Sequence, residues 1–491
     1  MSENPDSTAA ASGTEGTAGR TAAFSAGLGG RAVCVAGIGV SGPPVARVLL
    51  ARGAQVTVVD GRDDAAARRV AEELRSEGAR VELGAADGPP PGTDLVVTSP
   101  GWRPDSPLLA AAAAAGIEVI GDVELAWRLK PADQVWLAVT GTNGKTTTVR
   151  MLEAMLRADG RDAVAVGNVG TPVIEAALPD ESGNRADILA VELSSFQLHW
   201  SSSLRPHAAT VLNVAPDHLD WHGGLEPYAQ AKGRVFAPGT LRVANTADEW
   251  SLRLARAGDT DAPLVGFSLD TPRPGELGVV ENLLVDRAFV DDPRHSAEEL
   301  ATLADVVPAA PHNVANALAA AALARSVGVA PASVRAGLAG FAPEPHRIAY
   351  VAAVGGADYV DDSKATNPHA AAASLAAYAS IVWVAGGLLK GADVEDLVRT
   401  AAPRLRAAVL LGRDRARLRE ALAAHAPDVP VTDIADTDGH TAMAAAVEAA
   451  AAMAREGDTV LLAPAAASMD MFDDYNVRGD AFGDAVRKLG G

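Results

Sequence analysis

One stretch, residues 137–156, constrains the fold of this chain more than any other. An apolar strand is predicted at residues 136–139, and Val149 and Leu152 follow at helical spacing. Between them lies a turn, residues 141–146, that reads GTNGKT. A glycine-containing turn that opens directly into a helix aims several backbone N–H groups, and the positive end of the helix dipole, at one point. The stretch therefore predicts an α/β fold with a polyphosphate-binding site.

Two side chains in this turn suit a nucleoside triphosphate. Lys145 supplies a mobile ammonium, and the Thr146 hydroxyl suits a magnesium ion shared with phosphate oxygens. The strict P-loop has another glycine five residues before Gly144, where this chain has Val139, so the turn is a shortened variant. The alternative is an ordinary glycine turn with Lys145 exposed, but strand, turn, Lys–Thr pair and helix occur together. The predicted ATP contacts of the turn are Gly141, Thr142, Asn143, Gly144, Lys145, Thr146 and Thr147.

Length and composition limit the class of protein. A chain of 491 residues is too long for one core and predicts about three domains. The net charge of −20 argues against nucleic acid or an anionic membrane surface as a partner. No apolar run approaches the roughly 20 residues that a membrane span needs, so we expect no membrane insertion. Cys34 is the single cysteine, which excludes an intrachain disulfide and fits the cytoplasm.

The first 28 residues are predicted to form a disordered tail. They are small, acidic and polar, and they lack the basic-then-apolar pattern of a secretory signal. The remainder is predicted to divide into three domains, at residues 29–128, 129–342 and 343–491.

A second glycine turn predicts a nucleotide-type site in the first of these domains. A predicted strand is followed by residues 37–42, which read GIGVSG, and the next predicted strand ends in Asp60. This is a Rossmann-type opening, with glycines placed to admit a diphosphate and Asp60 placed to meet a ribose hydroxyl. NAD, FAD and other nucleotides all fit it, and a turn or capping aspartate is the alternative for Asp60. Gly101 follows another predicted strand, on the ligand side of a parallel sheet.

Candidate ligands follow strands in the second domain. A predicted strand ends at Glu192, where a carboxylate beside the phosphate turn suits magnesium. The next predicted strand leads to His218, which either ligates a metal or lies on the surface. Lys232 lies on a helical stretch, where a solvated surface lysine is the alternative. Residues 275–294 are rich in Pro, Gly and Asp and predict a variable excursion, after which Asn313 opens an Ala-rich helix.

The last third of the chain predicts another α/β domain. Helices predicted at about 393–403, 413–424 and 440–455 alternate with strands. Polar segments follow three of these strands, at 361–368, 386–391 and 464–470. Open parallel sheets place their ligands after strand ends, so these segments predict a binding site.

Five motifs, in this order, resemble the Mur ligase family of ATP-dependent amino-acid ligases in peptidoglycan synthesis: GTNGKTT, ELSSFQL, DHLD, YxxAK and HNxxNALAA. The resemblance runs from about residue 32 to the C-terminus, and several motifs in order are far more specific than one. It implies a monomeric enzyme of three α/β domains. These are a Rossmann-like N-terminal domain for a UDP-linked substrate, a central P-loop ATPase domain and a Rossmann-like C-terminal domain.

The resemblance also implies a metal site with two Mg²⁺ ions. Lys145 and Thr146 would bind the ATP phosphates and the first ion, and Glu192 and His218 would hold the second. Lys232 matches the lysine that the family carbamylates, a modification that turns an ammonium into an anionic oxygen ligand.

Further roles are carried over from the family by position. Asn313, Arg347 and Asp362 would contact ATP, and Lys390 would contact the phosphoryl group. The implied catalytic residues are Lys145, Glu192, His218, Lys232 and Lys390. The implied contacts to the UDP-linked substrate are Gly39, Val40, Ser41, Asp60, Arg62, Gly101, Asn168, Gln197 and His218.

Residues 362–367 point to one branch of the family. They read DSKATN, the pattern of members that add D-glutamate, whereas other members carry DxAHxP or NANP-type sequences. The resemblance implies UDP-N-acetylmuramoyl-L-alanine, D-glutamate and ATP as substrates. Lys364, Thr366 and Ser468 would hold the glutamate carboxylates, beside Tyr475, where the family commonly has Phe.

Two other functions would need fewer of these features. A ligase of the folylpolyglutamate synthetase type would not need residues 29–128. A nucleotide-binding regulator without catalysis would not need Glu192, His218 and Lys232 together.

Overall fold

The computed structural model describes residues 21, 23–84, 86–168, 170–180, 182–259, 261–342 and 345–490. The chain divides into two compact units, each described by itself below. The second unit consists of Ala215–Asp217, Val306–Val314 and Ala342–Gly491, and the first contains the N-terminal and middle sheets. No helix in the described part of the chain is both long enough and apolar enough to cross a bilayer.

The N-terminal sheet has five parallel strands in the order β3-β2-β1-β4-β5. They are β1 (Ala32–Ala36), β2 (Gln55–Asp60), β3 (Arg80–Leu83), β4 (Leu95–Thr98) and β5 (Glu118–Gly121). The helices around it are Gly42–Ala51, Ala65–Ser76, Pro107–Ala114 and Asp122–Leu129. Strand order reverses between β1 and β4, and open α/β sheets bind ligands at such a reversal.

The predicted tail is wrong at its C-terminal end. Residues 23–26 are helical, and Leu28 is 0% exposed in the core of the first unit. The Phe24 ring packs against this core beneath Arg128, whose guanidinium carbon lies 5.3 Å from the ring centroid. Burial of two large apolar side chains offsets the entropy of ordering this short segment. Residues 1–20 lie outside the described residues.

The middle sheet has nine strands in the order β14-β13-β12-β11-β10-β9-β6-β8-β7. They are β6 (Val135–Thr140), β7 (Ala163–Gly167), β8 (Ile188–Glu192), β9 (Ala208–Val211), β10 (Leu241–Asn245), β11 (Leu264–Phe267), β12 (Glu276–Val280), β13 (Leu283–Asp286) and β14 (Glu298–Thr302). Its helices are Lys145–Ala158, Val173–Ala176, Ser195–His199, Leu219–His222, Leu225–Gly233, Glu249–Ala257, Pro311–Ser326 and Pro331–Ala339, with a 3-10 turn at Leu303–Asp305.

The predicted excursion at residues 275–294 is also wrong. The segment contributes β12 and β13, which pair antiparallel and extend the sheet. Leu277 and Leu284 are each 0% exposed, so one face of this hairpin is part of the core. Most of its Pro, Gly and Asp residues lie in the flanking turns, and together with Gly278 inside β12 they hid the alternation of buried side chains.

The sheet of the second unit has six strands in the order β15-β16-β20-β17-β18-β19, with β15 antiparallel to its neighbour. They are β15 (Ala349–Val354), β16 (Ala357–Asp361), β17 (Ile381–Gly386), β18 (Leu405–Leu411), β19 (Val431–Asp433) and β20 (Thr459–Leu462). The helices are Pro368–Ala376, Glu395–Ala401, Arg415–His425, Gly439–Met453 and Tyr475–Leu489, with a 3-10 turn at Ala402–Arg404. The predicted alternation of strands and helices is confirmed here.

A buried carboxylate joins the N-terminal and middle sheets of the first unit. Glu124 is 0% exposed and accepts hydrogen bonds from Ser202 N at 3.0 Å, Ser203 N at 3.1 Å and Ser203 Oγ at 2.6 Å. Arg128 Nε donates to the same carboxylate at 2.8 Å. We call this set of contacts the Glu124 clasp. Charge-assisted hydrogen bonds are stronger than neutral ones, so these contacts link the helix Asp122–Leu129 firmly to the loop before β9.

Candidate active site

The phosphate turn lies at the carboxyl end of β6, as predicted, and Asn213 holds its shape. Thr142 N donates to Asn213 O and Asn143 N donates to Asn213 Oδ1, each at 2.9 Å. Asn213 Nδ2 donates in return to Asn143 O at 3.1 Å. Asn213 follows β9, the strand beside β6, and no motif in the sequence marks this role.

Gly144 makes the transition from the turn to the helix. Its φ of +85° lies in the left-handed region, and the helix Lys145–Ala158 begins at the next residue. A Cβ at Gly144 would lie 2.4 Å from Asn316 Oδ1, a residue that the sequence analysis did not single out. Both constraints require glycine, so the first N–H groups of the helix stay directed at the turn.

Two lysines converge on the phosphate turn. Lys145 Nζ donates to Gly141 O at 3.0 Å and to Thr142 O at 2.9 Å, and Lys232 Nζ donates to the same Gly141 oxygen at 2.7 Å. Lys232 is 2% exposed and its Nζ lies 4.5 Å from the Tyr228 ring centroid, so it is not a solvated surface lysine. The Tyr228 hydroxyl hydrogen-bonds Thr142 Oγ1 at 3.1 Å. Two ammonium groups on one carbonyl oxygen form a site for anions.

Glu192 ends β8 and is 1% exposed. Its Oε1 accepts from Asn168 Nδ2 at 3.0 Å, whereas Oε2 is buried without a hydrogen-bond partner. A buried carboxylate oxygen without a donor is costly, and a cation would stabilise it. Asn168, a predicted substrate contact, thus orients Glu192. In the described part of the chain, no group of three or more His, Cys, Asp and Glu side chains is suited to hold a metal.

His218 lies at the start of the short helix Leu219–His222, in the left-handed conformation with φ of 51°. Its ring is 4.8 Å from that of Phe196. His222 ends the same short helix. Burial, and to a smaller extent nearby positive charges that include Lys232, lower the pKa of His222 to about 4. His222 is therefore neutral at pH 7, and its Nε2 lies 2.9 Å from Ser195 Oγ.

The N-terminal glycine turn follows β1 at the strand-order reversal. Gly37 has φ of +111°, and a Cβ there would lie 2.6 Å from Ser99 Oγ. Asp60 Oδ2 accepts from Ile38 N at 2.8 Å, and Oδ1 accepts from Arg62 N at 2.8 Å. Burial alone would raise the pKa of Asp60, but the Arg62 guanidinium and these backbone N–H groups together lower it. Asp60 thus acts as a turn aspartate here, and its contact with a ribose stays a prediction.

The other predicted contacts to the UDP-linked substrate differ in position. Gly39, Val40 and Ser41 lie in the turn after β1, with Val40 82% exposed, and Gly101 follows β4 at the same edge of the sheet. Gln197 is 4% exposed in the middle domain, where its Oε1 accepts from Ser194 N at 2.9 Å as part of a capping box. These roles remain predictions.

In the second unit, Lys364 and Tyr475 are in direct contact. Lys364 Nζ lies 3.7 Å from the Tyr475 ring centroid, a cation–π geometry. Thr366 N donates to Lys364 O at 2.8 Å. Ser468 is 4% exposed after β20, and Lys390 is exposed after β17 with φ of 52°. The structure therefore places the predicted glutamate contacts on loops at the carboxyl ends of neighbouring strands.

Two predicted ATP contacts in this unit, Asp362 and Asn313, form hydrogen bonds with nearby residues. Asp362 accepts from Ser374 Oγ and, at 3.3 Å, from Ile348 N, and burial raises its pKa to about 6. Asn313 Nδ2 donates to Val307 O at 3.2 Å and to Pro308 O at 3.1 Å. Their contacts with ATP remain predictions.

Comparison with known proteins decides the family. Three family models match, namely the MurD-like N-terminal domain at residues 31–121, the Mur ligase middle domain at 139–324 and the Mur ligase glutamate ligase domain at 346–466. The chain is 72% identical over 465 residues to a UDP-N-acetylmuramoylalanine–D-glutamate ligase of Thermobifida fusca, covering 94% of this chain and 100% of that protein. The chain belongs to the Mur ligase family. A Streptomyces avermitilis protein of the same name is 59% identical over 94% of this Mur ligase and 99% of that protein.

A solved structure shows the same fold at low identity. The MurF ligase of Thermotoga maritima, in complex with ADP, superposes with a TM-score of 0.55 at 15% identity, over 89% of this chain and 95% of that one. Membership confirms the predicted architecture of three α/β domains and the class of ATP-dependent amide-bond ligase.

Proposed function

We propose that this Mur ligase joins D-glutamate to UDP-N-acetylmuramoyl-L-alanine in peptidoglycan precursor synthesis, converting ATP to ADP and phosphate. The names of relatives at 72% and 59% identity support these substrates, as does the DSKATN segment. One structural observation carries the chemistry. Glu192, which ends β8, has a buried carboxylate oxygen without a hydrogen-bond partner. The neighbouring strand, β6, leads into the phosphate turn, where the ammonium groups of Lys145 and Lys232 both bond Gly141 O.

The reaction proceeds through an acyl phosphate. A carboxylate oxygen of the L-alanyl group attacks the γ-phosphorus of ATP, and the bond to the bridging oxygen breaks to release ADP. The amine nitrogen of D-glutamate then attacks the acyl carbon, the C–O bond to phosphate breaks and the amine loses a proton. Water must be excluded meanwhile, because it would hydrolyse the acyl phosphate.

The phosphate turn supplies the groups that bind ATP. Residues 141–147 offer backbone N–H groups at a helix N-terminus. Lys145 Nζ donates to the Gly141 and Thr142 carbonyl oxygens, so it exchanges these partners for phosphate oxygens when ATP binds. The ammonium then lies where negative charge develops during phosphoryl transfer.

Two Mg²⁺ ions would be held by oxygen ligands around this turn. The Thr146 hydroxyl suits the first ion, and the unpartnered Glu192 oxygen suits the second, with His218 and a modified Lys232. When bound, magnesium neutralises charge on the transferring phosphoryl group.

Lys232 would act as a carbamate. The ammonium first gives a proton to water. The neutral amine nitrogen then attacks the carbon of CO₂, an N–C bond forms as one C=O π bond opens onto oxygen, and a second proton passes to water. The remaining N–H can still donate to Gly141 O, now at 2.7 Å from Nζ. The change from cation to anion removes the repulsion between Lys232 and Lys145 and supplies oxygens for the metal.

The remaining proposed roles are carried over from the family by position. Lys364, Thr366 and Ser468 would bind the two carboxylates of D-glutamate, and Lys390 would meet the phosphoryl group. The glycine turn after β1 would hold the UDP diphosphate. We propose a monomer that acts in the cytoplasm.

Formation of ADP tests the function. The purified enzyme with ATP, Mg²⁺ and UDP-N-acetylmuramoyl-L-alanine should form ADP with D-glutamate, but not with L-alanine, L-glutamate, meso-diaminopimelate or D-alanyl-D-alanine. UDP should compete with the muramoyl substrate, whereas NADH should show no saturable binding. Preference for the diamino acid, or equal turnover of L-glutamate, would assign the chain to another branch of the family.

A further inference from the structure

His346 has an unusual backbone conformation and adjoins two predicted substrate contacts, Arg347 and Lys364. It has φ of +61°, and Ile348 has φ of +48°, so the residues on both sides of Arg347 are left-handed. Such conformations are strained for residues other than glycine and persist only where surrounding contacts determine them. The strain therefore points to a requirement for the placement of Arg347.

Hydrogen bonds of His346 hold this strained backbone conformation in place. Its Nδ1 donates to Asp361 Oδ2 at 2.6 Å, and Asp361, 4% exposed, also accepts from Ser363 N at 2.8 Å. The His346 carbonyl oxygen accepts from Lys364 N at 3.1 Å. One residue thus holds the start of the Arg347 segment and, by its backbone, the loop that carries Lys364.

The helix Tyr475–Leu489 leaves space for this imidazole. A Cβ at Gly479 would lie 2.1 Å from His346 Nδ1 and 2.8 Å from Asp361 Oδ2. His346 Nε2 is 3.7 Å from Asp480 Oδ1 on the same helix. The ring is therefore enclosed between the strand end and the helix, with 11% of its side chain exposed.

We propose that His346 is a positioning residue whose pairing with Asp361 sets Arg347 for ATP and Lys364 for D-glutamate together. This inference rests on the proposed function of those two residues. It predicts that loss of the imidazole weakens the binding of ATP and of D-glutamate together, although His346 is not among the proposed contacts of either substrate.

Three variants separate the hydrogen bond from the backbone strain. Asn tolerates the left-handed region and its Nδ2 can replace Nδ1 as donor, so His346→Asn should keep KM values close to wild type. His346→Gly keeps the backbone but loses the donor, and we expect KM for both ATP and D-glutamate to rise about ten-fold. Gly479→Ala retains His346 but displaces its ring, and it should reproduce the His346→Gly values. KM for the UDP-linked substrate should not change in any of them.

The pattern of KM values distinguishes positioning from a general structural role. A general loss of structure would lower kcat and the melting temperature while leaving the KM values of the folded fraction unchanged. Three results would overturn the inference. His346→Gly could raise only one of the two KM values, or it could keep both at the wild-type value. His346→Asn could also show the same KM values as His346→Gly.

Failure of the proposed function is recognised separately. A wild-type chain that forms no ADP with D-glutamate refutes the function, not the role of His346. In that case the placement of Arg347 can still be tested by measuring, by calorimetry, the affinity of the His346→Asn and His346→Gly variants for ATP. Equal affinities would overturn the proposal, and weaker binding by the Gly variant alone would support it.

Discussion

Lys232 is a single residue in an unfavourable place for a cation. It is 2% exposed and shares a carbonyl oxygen with the ammonium of Lys145. Its cation–π contact with Tyr228 and its hydrogen bond to Gly141 O compensate for part of the loss of water. A carbamate would remove the repulsion between the two lysines and would suit the metal ligands proposed beside it.

We expect Lys232→Ala to lower kcat about 10²- to 10³-fold, as loss of a group that stabilises developing charge does. Acetate should partly restore the activity, because a free carboxylate can supply the missing oxygens. Steady-state kinetics with and without acetate measure this. Rescue by a primary amine instead would contradict the carbamate.

Lys130 is the matched control for this substitution. It is also buried, at 4% exposed, but its Nζ donates to Gln134 O at 2.7 Å and Pro131 O at 2.9 Å in the segment that joins two sheets. Lys130→Ala should lower stability, and acetate should not rescue any activity that it loses.

At the scale of elements, the junction of β6 with its helix depends on the backbone of Gly144. We expect Gly144→Ala to raise KM for ATP at least ten-fold, because the left-handed backbone costs an L-residue about 1–2 kcal/mol and Asn316 must move as well. Kinetics at varied ATP concentration measure this.

Gly160 provides the control at the other end of the same helix. Its φ is +78°, but nothing lies within 4 Å of a Cβ there. Gly160→Ala should therefore cost stability with no change in KM for ATP. An equal KM effect in both variants would show that helix stability, not the turn, determines ATP binding.

The elements of the site could be predicted from sequence, whereas the contacts between distant segments could not. Periodicity and glycine spacing placed β6, its turn and its helix correctly, because these signals are local. Asn213 bonds a residue 70 positions earlier, and no local pattern marks that pairing. Lys232 Nζ likewise donates to the carbonyl oxygen of Gly141, which lies 91 positions earlier. The resemblance supplied the predicted role of Lys232, but not its environment.

At the scale of the whole molecule, the N-terminal boundary of the fold lies earlier than residue 29. A chain that begins at Thr21 should match the full chain in activity and melting temperature, because residues 1–20 have a composition that cannot form a core. A chain that begins at Gly29 loses Phe24 and Leu28. Burial of one such side chain is worth about 1.5–3 kcal/mol, so this chain should melt at a lower temperature.

Thermal unfolding of the three chains, with ligase assays at one temperature, tests the boundary. Equal melting temperatures for the chains that begin at Thr21 and at Gly29 would show that the contacts of Phe24 and Leu28 do not contribute to stability. Loss of activity in the Thr21 chain would assign a function to the first 20 residues.

The Glu124 clasp also has a consequence for synthesis on the ribosome. Ser203, which donates to Glu124, is 79 residues further along the chain. At roughly 5–20 residues per second, its codon is read several seconds after that of Glu124. During that interval the Glu124 carboxylate of the nascent N-terminal domain lacks the Ser202 and Ser203 donors, so that only Arg128 and water can stabilise its charge. The first domain is therefore finished only when part of the second has been translated, and the two mature as a pair.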